Sequence, residues 1–304
     1  MFTDGIGRIG KLRNYQLSPL QLVLLLVFFV VLCALAVVRF PTEQVSEFRW
    51  GSGAAAIVLA PSTVAVNAYG YRAQARLIRM SVPLREAFQT TLVGSAANLL
   101  PIPGAVVVRS AAMVDRGASV AQAGGATATG ALAWLGLSLG IAVVPVWNVE
   151  RQLLAVGLAF GCVAVLGVSA LVAARLGSSA ASWLLVLIAS AGLVVALAVR
   201  YLLLVVALGF DPFGGALALV AVGALSSAAG FFPGGLGIRE VLAGGAAVLV
   251  DLPAQLGVLV AAIDDIAYVV VTMVGLFCFA GGWSGLARFQ RAARAEDATR
   301  SGGA

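Results

Sequence analysis

Histidine is absent from all 304 residues, and charge is scarce: 11% of positions are Asp, Glu, Lys or Arg, against about 25% in an ordinary soluble domain. Without histidine the chain has no Ser-His-Asp hydrolase, no His-ligated zinc site and none of the commonest general bases. The three cysteines, Cys33, Cys162 and Cys278, are scattered through apolar segments without metal-ligand or disulfide spacing. They read as core filler. No Walker A motif occurs, and GGLGIRE lacks both the third glycine and the preceding soluble strand of a dinucleotide fingerprint. Neither cofactor nor metal is expected.

What the chain does contain is hydrocarbon. Hydrophobic residues make up 61% of it and the mean hydropathy is +1.04, so it reads as an all-α polytopic membrane protein. No stretch outside the membrane is long enough for a second soluble domain, and one transmembrane domain is expected over 1–304. The net charge of +6 is assigned to cytoplasmic loops rich in Arg and Lys rather than to nucleic acid, which is not an expected partner. The amino-terminal segment carries Arg8, Lys11 and Arg13 before an apolar run and lacks a small-residue cleavage site, so a retained signal anchor is expected.

Hydropathy places full spans at about 20–38, 54–71, 121–146, 153–174, 183–208 and 255–281. A basic tail, 286–304, follows with Arg288, Arg291, Arg294 and Arg300. Two further apolar segments, 84–114 and 214–250, are interrupted by proline and glycine. Each can be drawn as one kinked span or as a helical hairpin that enters and leaves on the same side. With hairpins, thirteen basic residues fall inside, three outside and three at membrane depth; with kinked spans, twelve fall inside and four outside. The positive-inside bias slightly favours hairpins. The expected fold is therefore about six full spans plus two re-entrant helical hairpins, in the inner (plasma) membrane with both termini cytoplasmic.

The interruptions resemble one another. Pro103-Gly104 is followed by Arg109, and Pro233-Gly234 by Arg239, an offset of 130 residues. The same offset carries 20–38, 54–71 and 121–146 onto later spans. An odd number of spans per half makes the second half start on the opposite side, so halves of about 1–148 and 149–285 form an inverted repeat. In transporters of that kind the broken segments mark the midplane site.

NLLPIPGAVVVR at 98–109 and PGGLGIRE at 233–240 resemble the flippase-like family that includes the transmembrane domain of lysylphosphatidylglycerol synthases and stand-alone members of the UPF0104 type. The resemblance implies a bundle that moves or binds lipid, with no attached synthase domain. Relatives often carry a Glu-Arg pair in the span after the first motif and an Arg after the second, whereas these neighbourhoods here read ALAWLGLSLG (131–140) and AAIDDIAYVV (261–270).

A charge inside a bilayer costs about 2.5–3.5 kcal/mol on insertion scales, so it is read as functional with a named partner. Arg109 and Arg239 are the leading candidates, two planar guanidiniums reaching from broken segments toward one anionic headgroup. The helix amino termini after Pro103-Gly104 and Pro233-Gly234-Gly235, with Gly237 close behind, would add backbone donors. The competing reading pairs Arg239 with Glu240, Asp264 or Asp265 and locks the hairpin to the last span. Asp264 and Asp265 point about 100° apart on their helix and read as counter-ions of Arg239 or Arg200, or as proton carriers. Asn98 reads as a cap on the broken backbone more than as a lipid ligand, and Arg200 as a residue that snorkels to an interface.

The expected function is translocation of an anionic phospholipid or lipid-linked saccharide, and the expected partner is a membrane lipid with an anionic headgroup. A secondary transporter of a small organic anion and a non-transporting accessory of a lipid-modifying enzyme are the alternatives. Catalysis is not expected. A homo-oligomer or an enzyme partner is left open.

Overall fold

Pro61 cannot donate a backbone hydrogen, so it breaks the first apolar stretch into α1 (Trp50–Val58) and α2 (Ala60–Leu77), joined at Leu59. They belong to a computed structural model that describes residues 48–98, 104–210, 212–228 and 238–279. Pro83 starts α3 (Leu84–Ala97), and after the gap comes α4 (Gly104–Val114). Ser119 opens α5 (Val120–Asn148) with a capping box: its hydroxyl accepts from the Gln122 amide while the Gln122 side chain accepts from the Ser119 amide. Then follow α6 (Gln152–Arg175), α7 (Ala180–Ala207, capped by Ser179), α8 (Pro212–Ala228), α9 (Ile238–Leu249) and α10 (Ala254–Phe279). Left-handed residues sit just past the helix ends, among them Arg79 after α2 and Gly209 after α7 (φ 61° and 82°).

Among the described residues every regular element is helical. Five stretches are long and apolar enough to cross a membrane: Trp50–Leu77, Val120–Asn148, Gln152–Arg175, Ala180–Ala207 and Ala254–Phe279. The protein is a helical membrane bundle. The expected span at 20–38, the prolines and glycines of the breaks at 103 and 233–237, and the tail at 286–304 lie outside the described residues.

The two interrupted segments are each a pair of helices folded back on one another. In the first, Glu86 near the start of α3 pairs with Arg116 just past α4, and a Cβ on Gly94 would lie 3.2 Å from the Cα of Ala105. At the closed tip a Cβ on Gly104 would come within 2.3 Å of the Ala97 carbonyl, so only glycine fits there. Asn98 Oδ1 accepts from the Ala105 amide at 2.7 Å and caps α4. In the second pair, α8 packs against α9, with Gly223 facing the Arg239 side chain.

Element order and spacing repeat. Shifting Trp50–Leu77 by 130 residues gives 180–207, the bounds of α7, and α3, α4 and α5 shift onto α8, α9 and α10 within a few residues. Contacts repeat as well: α2 packs on α7, α3 on α2 and α10, α8 on α7 and α5. The turns thus gather at two ends. Arg79, Arg85, Arg116 and Arg175 lie at one, where Leu176 covers Gly125; Arg49 and Arg151 lie at the other, where the Arg49 amide donates to the Ala207 carbonyl at 2.9 Å and Arg151 faces Asp251 at 3.5 Å.

Candidate functional site

Asp264 and Asp265 sit midway along α10 in an otherwise apolar run, and both are buried, 2% and 5% exposed. Successive helical positions diverge, yet one guanidinium reaches both. Arg239, in the first turn of α9, turns one amino group of its planar fork to Asp265 Oδ1 and the other to Asp264 Oδ2, the latter at 2.6 Å. A fork of fixed geometry suits two carboxylates presented side by side. Arg239 thus follows the locking alternative read from the sequence, with Asp264 and Asp265 as its partners.

Two residues of α7 complete the cluster. Arg200, 1% exposed, places Nη2 2.5 Å from the other oxygen of Asp264 and donates Nε to the Ala56 carbonyl at 3.3 Å. It does not snorkel. The neighbouring Tyr201 is equally buried; its hydroxyl contacts Arg239 Nη2 and lies 3.4 Å from Asp264 Oδ2, and its ring centroid is 5.9 Å from the Arg239 Cζ. Asp264 therefore lies between two arginines, and α7, α9 and α10 are tied at one point. Two guanidiniums face two carboxylates, so these four side chains balance charge for charge. The Arg239 side chain is 12% exposed, and beside it a recess bounded by Tyr201, Val222, Ala243 and Val260 is too tight for water.

Arg109 lies elsewhere in the network. From α4 its Nη2 faces Asn67 Oδ1 on α2 at 3.4 Å, its Nε is buried without a hydrogen-bond partner, and it interacts electrostatically with Tyr268 and Tyr71. Tyr268, one turn beyond Asp264 on α10, bonds Ser95 of α3 at 2.6 Å. Among the described residues Arg109 and Arg239 share no hydrogen-bond partner.

Of the other expected site residues, Asn98 and Gly104 shape the tip of the α3–α4 pair, and Glu240 is fully buried on α9. Pro103, Pro233, Gly234, Gly235 and Gly237 lie outside the described residues. Tyr201 and Asn67 were missed by sequence reasoning, and Arg200 follows the reading that pairs it with the aspartates rather than the one that sends it to an interface. A usable signal existed for the tyrosine, since the offset that aligns Arg109 with Arg239 also aligns Tyr71 with Tyr201.

No protein-family model, curated protein or solved structure matches the chain.

Proposed function

We propose that the protein translocates an anionic amphiphile, a phospholipid or a lipid-linked saccharide, between membrane leaflets. The observation that carries this reading is the pair of back-folded helix pairs, α3–α4 and α8–α9, each with an arginine at the same repeat position and each packed among long apolar helices. Charged groups at such depth are costly and mark substrate paths in membrane proteins. On this reading the pairs are re-entrant hairpins of an inverted-topology repeat, arginine charge within the pairs draws a headgroup, and acyl chains stay in the bilayer. The motif resemblance to the flippase-like family points the same way.

The distribution of basic residues supports an orientation. Arg79, Arg85, Arg116 and Arg175 share one end while Arg49 and Arg151 share the other, and arginine-rich ends face the cytoplasm. The tight recess beside Arg239 fits an occluded resting form, from which α3 and α8 would have to part from α10 and α5 to admit a headgroup.

The test is a leaflet-exchange assay in proteoliposomes containing fluorescent phosphatidylglycerol or phosphatidylcholine, in which a membrane-impermeant quencher reads the outer leaflet. Protein-dependent loss of the protected phosphatidylglycerol fraction is expected. Rates equal to those of protein-free liposomes for both lipids would sink the reading.

A further inference from the structure

The two arginines that hold the same repeat position keep different company. The offset of 130 residues aligns Arg109 with Arg239 and Tyr71 with Tyr201, but it aligns Trp134 with Asp264 and Leu135 with Asp265. The first half has therefore kept the arginine and the tyrosine and holds no carboxylate where the second half holds two.

The geometry follows the sequence. Arg239 is neutralised by Asp264 and Asp265. Among the described residues no carboxylate pairs with Arg109, whose one hydrogen bond goes to an amide at a long 3.4 Å and whose Nε–H is buried and unpaired. The hydroxyl of Tyr71, fully buried one helical turn from Asn67, lies beside the Thr90 side chain and makes no close hydrogen bond. A positive charge in apolar surroundings is tolerated when a counter-charge comes to it, and among the described residues none does so at that point.

Resting on the headgroup-binding reading, we propose that Arg109 alone receives the anion, a phosphodiester carrying a single negative charge, while Arg239 is a positioning residue that fastens α9 to α7 and α10. The Arg109 guanidinium offers its charge and a buried N–H, Tyr71 its hydroxyl, and Asn67, whose Oδ1 faces the arginine, keeps its amide hydrogens as further donors. One guanidinium balances one phosphodiester, and a phosphate monoester dianion would leave an excess charge in the bundle. A lipid headgroup and a soluble phosphodiester present the same chemistry to these donors.

Native mass spectrometry and thermal unfolding of the full chain in mild detergent test the assignment, with phosphatidylglycerol, phosphatidylcholine or soluble glycerophosphoglycerol added. The chains compared are wild type, Arg109→Gln, Tyr71→Phe and Arg239→Gln. Wild type should retain phosphatidylglycerol. Arg109→Gln should weaken it by about tenfold to a hundredfold, as expected for the loss of charge-assisted hydrogen bonds, and Tyr71→Phe by about threefold to tenfold. Without lipid, Arg109→Gln should unfold no lower than wild type, because it removes an uncompensated charge, whereas Arg239→Gln should unfold well below. Equal retention by wild type, Arg109→Gln and Tyr71→Phe would overturn the Arg109 site while leaving the translocase reading standing. Retention of the soluble diester in place of the lipid supports the site and assigns its source to soluble anions. If wild type retains neither anion, both the site and the lipid reading fall.

Discussion

Asp264 carries two arginines at once, Arg200 on one oxygen and Arg239 on the other, and is itself buried. A buried ion pair contributes little over a well-packed apolar pair, but removing one member leaves the other charged and unpaired at a cost of about 3–5 kcal/mol. Asp264→Ala, which strands Arg200 and leaves Arg239 with Asp265 alone, should therefore lower the unfolding temperature of the purified protein sharply. Adding Arg200→Leu to it should recover part of the loss, because the excess positive charge is removed. An unchanged unfolding temperature in Asp264→Ala would show that the cluster does not hold α7, α9 and α10 together.

The charged members of this cluster were legible in the sequence, since a carboxylate pair in an apolar run asks for a cation. Its geometry was not. Arg200 lies seven residues before the end of α7, about 10 Å along the axis at 1.5 Å per residue, too deep for its head to reach water once Asp264 is beside it. Tyr201 is lost among leucines and valines, because hydropathy treats a phenol as one more apolar side chain.

At the scale of elements, the helices meet through small residues. Lipid is as apolar as the side chains, so close packing rather than water exclusion holds membrane helices together. A Cβ on Gly257 of α10 would lie 2.1 Å from the Ala243 carbonyl oxygen of α9, a backbone atom that cannot swing aside. Gly245, two residues on from that alanine, has open space at its Cβ. Gly257→Ala should thus destabilise the protein by about 1–3 kcal/mol or more, the range for overpacking. Gly245→Ala should be neutral or stabilising by up to about 1 kcal/mol through helix propensity. Thermal unfolding in detergent reads both, and equal melting of the two variants would refute the close approach of α9 and α10. The adjacent glycines Gly244 and Gly245 divide, with Gly244 against Ala254 and Gly245 outward. Pattern alone does not tell which glycine of a pair faces a neighbour.

For the whole molecule, the sequence left two drawings of 84–114 open because the deciding contacts lie far apart in the chain. Glu86 with Arg116 and Gly94 with Ala105 fold α4 back along α3, and a hydropathy window averages over a segment without registering which of its residues touch. The back-fold determines which turns share an end. In a re-entrant arrangement Ser81, before α3, and Ala180, at the start of α7, emerge on one side of the membrane, and Asn148 and Gln152 on the other. A single kinked span would put Ser81 and Ala180 on opposite sides. All four positions are exposed, and none of the four carries a charge, so replacing each by cysteine leaves the balance of arginines that orients the chain intact. With Cys33, Cys162 and Cys278 replaced by alanine, a membrane-impermeant maleimide applied to intact cells should label Asn148→Cys and Gln152→Cys, and should reach Ser81→Cys and Ala180→Cys only after the membrane is opened. Labelling of Ser81→Cys and Ala180→Cys from opposite sides would refute the hairpin, and with it the inverted repeat, since the second half would no longer begin on the side opposite to the first.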